Sequence, residues 1–510
     1  MSAQISSLTI AAPGFKGINT QDSPLNDDFA FASVANNCVI DNYGRVGSRK
    51  GFKTVTSSLS PLGSSAGLEA VGQFLDSSSN TEILSGGNNK IFKGTSTLTE
   101  LSLPGGYSVS ANNWKIINFY DSAYFFQQGY EPLVYSNSAG LQKMSAVTSA
   151  AGTPPQANEV LGAYGRLWAA DFAADKATVY WSDLVSGHKW TGGSSGSINI
   201  SHVWPDGYDE IVALAAWNGY LIIFGSHSIV TYSGATTPAS MTLSDTISGV
   251  GCLTRDTVQS TGTDLLFLSS SGLLSLGRTI QEKSLPINTV SGNITNDLLY
   301  KISSESNNKV IKSIYSPEEK FYLLIFPSSD MIYCFDTSQA LENGAYRVTT
   351  WSSSAILNGT RTLNGTLYFS GSSAITEYSG FIDGTSTEYD ISYFSNELAF
   401  GNTTQLKMLK EITALIVGGQ NSSATMNWSY DFTENYFKQV VSIANAVVGE
   451  YGVSEYNSTA EYTGGVVIED PTVKTSGQGR TLRIGLEATI DGNALSLQQF
   501  NIKALIGKSL

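Results

Sequence analysis

Charge of either sign is scarce in this 510-residue sequence. Only 14% of it is Asp, Glu, Lys or Arg, and acids outnumber bases 43 to 29. The formal net charge of -14 leaves no basic face of the kind that holds nucleic acid tightly. Cysteine is nearly absent. Cys38, Cys252 and Cys334 are odd in number and far apart. That excludes a disulfide framework, and the three read as small buried apolar residues. Histidine is just as rare. His188, His202 and His227 fit no metal-ligand spacing and read as exposed loop residues. No apolar run approaches the ~18 residues of a membrane helix. The opening MSAQISSLTI has no basic segment followed by a long apolar run, so no signal peptide and no membrane insertion are expected. No phosphate-binding Gly-rich loop of the Gly-x-x-x-x-Gly-Lys-Ser/Thr type occurs.

What the sequence has in abundance is glycine (50), tyrosine (25) and phenylalanine (22), among many Ser, Thr and Asn. Aromatic strands and polar turns make an all-β chain. One stretch sets the pattern. Leu221-Ile222-Ile223-Phe224-Gly225-Ser226-His227-Ser228-Ile229-Val230-Thr231-Tyr232 reads as an apolar strand, a small turn and a second strand. Similar hairpins close at Phe92, Tyr135, Tyr180, Leu276, Tyr333 and Tyr378, at intervals of about 43 to 57 residues. A four-stranded propeller blade takes about 40–50 residues, and a lone hairpin is barely stable, so repeated hairpins need one another as neighbours.

The reading is therefore a β-propeller over residues 66–380, with about seven blades, six or eight if the end units are incomplete. The two long intervals imply insertions at 183–208 and 285–308, the latter with a short helix over 294–301. Residues 1–60 form a distinct N-terminal arm or strand segment, one reading of which is that it adds a strand to the propeller. Within it, Asp27 to Asn37 has an acidic start and an Asn-rich stop that suit a short helix. Val39-Ile40 and Arg45-Val46 flank a turn. Residues 381–510 carry longer alternating strands and suggest a β-sandwich-like domain. There, Asp491-Gly492-Asn493 between Leu482–Ile490 and Leu495–Ile502 is a hairpin signal. The stretch 444–465 is polar.

The search for chemistry yields two weak arrangements. Asp206, Asp209 and Glu210 lie near Trp190 and Trp204, and tryptophans beside paired acids suit sugar stacking and cleavage. A blade edge with a solvated turn accounts for them equally. Asp171 and Asp175 flank a turn, without the residue order of a calcium loop. No catalytic, cofactor or metal residue is assigned, and the chain is expected not to be an enzyme.

The order of several short motifs then resembles a known family. The opening carries Gly17-Ile18-Asn19, Pro24-Leu25, Asp28-Phe29-Ala30, Ala35-Asn36-Asn37, Gly44-Arg45-Val46 and Arg49-Lys50-Gly51-Phe52. The middle carries Gly165-Arg166-Leu167-Trp168, Thr178-Val179-Tyr180-Trp181-Ser182, Ile211-Val212-Ala213-Leu214, Leu221 to Gly225, and Leu266 to Ser269 with Gly272. The end carries Gly479-Arg480-Thr481-Leu482-Arg483-Ile484 and Leu495 to Ile502. Together they are similar to the tail nozzle (tail tubular protein B-like) proteins of short-tailed bacteriophages. The resemblance implies a structural virion protein of the viral tail, assembled in the host cytoplasm. It implies a ring, usually a homohexamer, below the tail adaptor protein and in contact with tail fibre or tailspike proteins. Such a ring retains the genome and conducts DNA ejection without reading its sequence. The alternative is a carbohydrate-binding or glycoside-hydrolysing propeller.

Overall fold

The computed structural model describes residues 4–25, 28–58, 62, 67–108, 113–286, 288–352, 355–372, 374–419, 422–443 and 468–509. The chain divides into two compact units. One comprises residues 54–332 and 353–377, and the other 1–53, 333–352 and 378–510.

The first unit is a β-propeller. All seven expected hairpins are present as adjacent strands. Four-stranded antiparallel sheets occupy residues 70–101, 115–143, 157–199 and 211–248. A three-stranded sheet covers 259–275, and another blade is built on Ile356–Arg361, Leu367–Gly371 and Ile375–Tyr378. The hairpin of Lys312–Ser316 and Phe321–Phe326 fills the remaining place in the ring. The innermost strands follow one another in chain order, and Ile356–Arg361 returns to Ala70–Leu75, closing the circle. Closure is reinforced where the unit's chain begins: Val55 N–H donates to the Ile375 carbonyl at 3.0 Å, and Ile375 N–H donates to Thr56 Oγ1 at 3.0 Å.

The stretch 221–232 shows why such strands are apolar throughout. Successive side chains of a strand point to opposite faces, and a blade is covered on both. Leu221, Ile223, Val230 and Tyr232 pack against Trp168, Val179 and Trp181 of the preceding blade. Ile222, Phe224 and Ile229 pack against Leu265, Phe267 and Leu274 of the following one. Each side chain buried this way contributes about 1.5–3 kcal/mol.

The insertions are more structured than loops. Part of 183–208 is the strand Gly196–Asn199, the fourth strand of its blade. The approach to it is pinned by Asp183, whose carboxylate accepts from the Ser194 N–H and hydroxyl, both at 2.9 Å. The expected helix near 294–301 is Thr295–Ser304, preceded by a second helix, Leu276–Glu282.

The second unit is a two-layer β-sandwich. In one layer Leu495–Ser509 lies between Gln405–Gly418 on one side and Gln4–Ala11 with Val46–Ser48 on the other. The other layer contains Phe31–Asn36, Tyr389–Ser395, Leu482–Ile490, Ser423–Tyr430 and Phe437–Ser442 in that order. Tyr393 spans the interior, edge-on to Phe15 at 5.7 Å and 6.3 Å from Phe500 of the facing layer.

Three expectations are corrected here. Residues 1–60 are not a separate arm, because residues 1–53 supply strands to both layers of the sandwich. The stretch expected as a helix over 27–37 is the strand Phe31–Asn36, with Asp27 outside the described residues. Its Ala-rich composition suits a helix, but pairing with Tyr389–Ser395 overrides that local preference. Leu482–Ile490 and Leu495–Ser509 are not a hairpin: the turn at 491–493 carries the chain from one layer to the other. The stretch 444–465 lies outside the described residues.

The motif Arg49-Lys50-Gly51-Phe52 is a structural lock inside this unit. Arg49 is fully buried. Its guanidinium grips Asp383 with two hydrogen bonds of 2.8 and 2.7 Å, and donates to Asn37 Oδ1 and to the Lys50 carbonyl. Two aromatic rings flank it, Phe52 at 4.6 Å and Tyr389 at 4.1 Å. Gly51 is required by a close approach, because a Cβ there would lie 2.0 Å from the Ile382 carbonyl oxygen.

All three cysteines are free and buried. Burial pushes the Cys38 and Cys252 thiols up to about 12, so almost no thiolate exists at neutral pH. A disulfide-exchange dye should label none of the three in the native protein and all three in denaturant. Rapid labelling of Cys38 or Cys252 without unfolding would contradict this burial.

Candidate functional site

The residues singled out for chemistry do not converge. Trp204 is buried in the core between the third and fourth blades, where its ring cannot stack on a sugar. Asp209 is buried and spends its carboxylate on backbone: it accepts from Ser226 N–H and His227 N–H, each at 2.9 Å. Asp206 and Glu210 are exposed in the same turn, and Trp190 is half-buried against the preceding inter-blade core. Asp175 caps a turn by accepting from Ala177 and Thr178 N–H at 3.1 Å. Asp171 is ion-paired with Lys176 and accepts from Asn158, so an ammonium stands where a calcium ion would. His202 and His227 are exposed, as expected. His188 is instead half-buried, with Nε2 3.2 Å from the Ser149 hydroxyl, and burial followed by the nearby Lys189 charge lowers its pKa. Among the described residues no group of three or more His, Cys, Asp or Glu side chains is placed to hold a metal ion. No helix among them is long and apolar enough to cross a membrane.

The most concentrated chemistry lies on the propeller axis, and it starts from a backbone problem. The innermost strand of a blade leaves one edge of N–H and C=O groups without a ladder partner. Side chains from neighbouring inner strands meet that need. Asn118 donates to the Leu75 carbonyl and accepts from Leu75 N–H. Asn358 donates to the Glu69 carbonyl, and Gln73 accepts from Leu363 N–H. Gln259 donates to the Ser313 carbonyl, and Glu159 accepts from Leu214 N–H.

Glu159 also opens a buried ionic network. Its other carboxylate oxygen is 2.6 Å from Lys115 Nζ on the second blade. Arg255, at the entry to the fifth blade, donates to Asn158 Oδ1 and to the Asn113 carbonyl, both at 2.9 Å. Lys312, on the sixth inner strand, donates to Asn113 Oδ1 at 3.0 Å and to Asp256 at 2.5 Å. The Arg255 bonds and the Lys312–Asn113 bond join blades that are not neighbours in the ring, so side chains cross the axis at this level. Burial raises the Glu159 carboxyl above its ordinary range, with Lys115 and Arg255 opposing. At Asp256 burial acts in the same direction, but the charges of Arg255 and Lys312 outweigh it and hold the carboxyl well below that range. Three cations facing two carboxylates, each with a protein partner, make a brace; none is poised to react.

Sequence reasoning missed this network because its members come from four separate repeats. The available signal was a charge at the inner-strand positions Lys115, Glu159 and Lys312, within repeats that are otherwise apolar.

No family model matches the chain. No curated protein matches it either. Among solved structures it is similar to the extracellular domain of a one-component system of B. thetaiotaomicron, at 12% identity and a TM-score of 0.39, over 66% of this chain and 40% of that one. It is also similar to the Pan2 WD40 domain of Neurospora crassa, at 8% identity and 0.37, over 64% of this chain and 94% of that one. The Doa1 WD40 propeller matches at 8% identity and 0.34, over 61% and 94%. The chain therefore spans about two-fifths of the first of these proteins.

Proposed function

We propose that this chain is a non-enzymatic structural component of a short-tailed bacteriophage tail, the subunit of the nozzle ring below the adaptor. The observation that carries the reading is the ordered series of motifs running from Gly17 to Ile502. In the fold most of those motifs fall on framework, namely blade strands, the Arg49 lock and the strands of the sandwich, while Pro24-Leu25 lies in an exposed turn. A family defined by a scaffold would keep such residues and leave its contacts to loops.

Two physical features agree with this reading. The propeller axis is crossed by the Arg255–Asn113, Arg255–Asn158 and Lys312–Asn113 bonds, so DNA would pass between copies of the chain and not through one. The net charge of -14 suits a conduit, because an acidic lumen repels phosphates and lets DNA slide without adhering.

The decisive measurement is the presence and copy number of this chain in purified particles of the virus whose genome encodes it. Imaging of the purified protein with and without the adaptor complements it. Rings of about six copies with a net acidic lumen are expected. A chain absent from particles and monomeric with the adaptor would overturn the assignment, and a basic lumen would overturn the sliding mechanism.

A further inference from the structure

We propose that the propeller unit carries a binding site for a neutral carbohydrate, in the groove formed by the inner strands Gln259–Ser260, Lys312–Ser316 and Ile356–Arg361. The groove has a volume of about 570 Å³ and is open to solvent, within the range of small-molecule sites.

The chemistry of its walls selects the ligand class. Gln259 spends its amide nitrogen on the Ser313 carbonyl and hydroxyl, both at 3.1 Å, which leaves Oε1 as an acceptor without a partner among the described residues. The hydroxyls of Tyr315 and Thr360 also line the groove, are half-buried, and have no partner there. Each hydroxyl can both donate and accept. Arg361 is the one charged side chain in the lining. It is held in a two-point pair with Glu318, Nε to Oε2 at 2.8 Å. That hydrogen bond draws the Glu318 carboxyl down to about 2, so the pair stays ionised and neutral overall near neutral pH.

An anion would have to displace Glu318, and a cation would find no free carboxylate in the lining. A purely apolar ligand would bury the amide and hydroxyls unpaired. A polyhydroxylated ring satisfies all of these conditions. Its hydroxyls meet Gln259, Tyr315 and Thr360, and its C–H face meets the ring of Tyr315 and the side chain of Pro317. This site is distinct from the Trp190 and Asp206 region, and it is independent of ring assembly.

The test is saturation-transfer NMR on the full chain with maltohexaose, cellohexaose, chitohexaose and mannohexaose, and with hexagalacturonate as the acidic comparison. At least one neutral oligosaccharide should give a signal, and hexagalacturonate none. The double variant Tyr315→Phe with Thr360→Val should bind at least tenfold more weakly, from the loss of two hydrogen bonds. Its thermal unfolding should match that of the parent, because neither hydroxyl has a hydrogen-bond partner among the described residues. Silence from all four neutral sugars, an equal signal from hexagalacturonate, or undiminished binding by the double variant would each overturn the proposal. Since binding is read on the free chain and ring formation by size, failure of one reading does not imply failure of the other.

Discussion

Arg49→Met is expected to lower the unfolding free energy of the sandwich unit by about 3–5 kcal/mol, the usual result of breaking a buried ion pair from one side. Methionine occupies much of the same space between Phe52 and Tyr389, so little of the loss comes from a cavity. What disappears is the two-point grip on Asp383 and the bonds to Asn37 and the Lys50 carbonyl. Asp383 then keeps the Phe52 N–H at 2.9 Å but loses its cationic partner. Arg49→Lys should not rescue it, because a single ammonium cannot reproduce a planar fork. Changing both partners, Arg49→Met with Asp383→Leu, should recover part of the loss. Urea unfolding monitored on a probe in this unit measures each value. A loss under about 1 kcal/mol for Arg49→Met would mean that the pair is not the lock described.

The second large effect is expected in the propeller. Arg255→Met removes the guanidinium that ties Asn158, Asn113 and Asp256 together, again at a cost of about 3–5 kcal/mol. It should also change the acid limb of stability. The folded-state pKa of Asp256 lies below its unfolded value of about 3.9. Its contribution is therefore complete above that value and is lost as the pH falls through the depressed folded pKa. Without Arg255 the depression shrinks, so Asp256 contributes less at neutral pH and has less to lose in acid. Glu159 acts with the opposite sign. Its raised folded pKa means that ionisation costs stability, and that cost is relieved as the pH falls toward the unfolded value of about 4.3. Thermal unfolding from pH 7 to pH 3 should show the gap between Arg255→Met and the parent narrowing as acid is added. Parallel curves would mean that Arg255 does not set the Asp256 charge.

The two locks differ in how much of them could be read in advance. Arg49 stood inside a recognisable motif, but its partner Asp383 is 334 residues away and nothing beside Asp383 marks it. Lys115, Glu159 and Lys312 were visible as charges within apolar repeats, yet no local pattern says that they meet on an axis. The Trp204 and Asp209 region misled for the opposite reason. Acids and tryptophans close in sequence suggest a site, while in the fold the ring turns into the core and the carboxylate caps backbone N–H groups. The groove beside Arg361 escaped the sequence because its polar groups come from three repeats and only the ring brings them together.

By itself the sequence determined the seven hairpins, Leu221–Tyr232 among them. Their pairing is local, and strand alternation with short polar turns encodes it directly. Tertiary structure alone decided which strands serve the sandwich. Gln4–Ala11 pairs with the far end of the chain, and Phe31–Asn36 pairs with Tyr389–Ser395. Leu482–Ile490 and Leu495–Ser509 part into different layers despite the turn between them. A strand's edge carries backbone donors and acceptors that any other strand can satisfy, so sequence marks the strand but not its distant partner. Burial against the whole unit makes that choice.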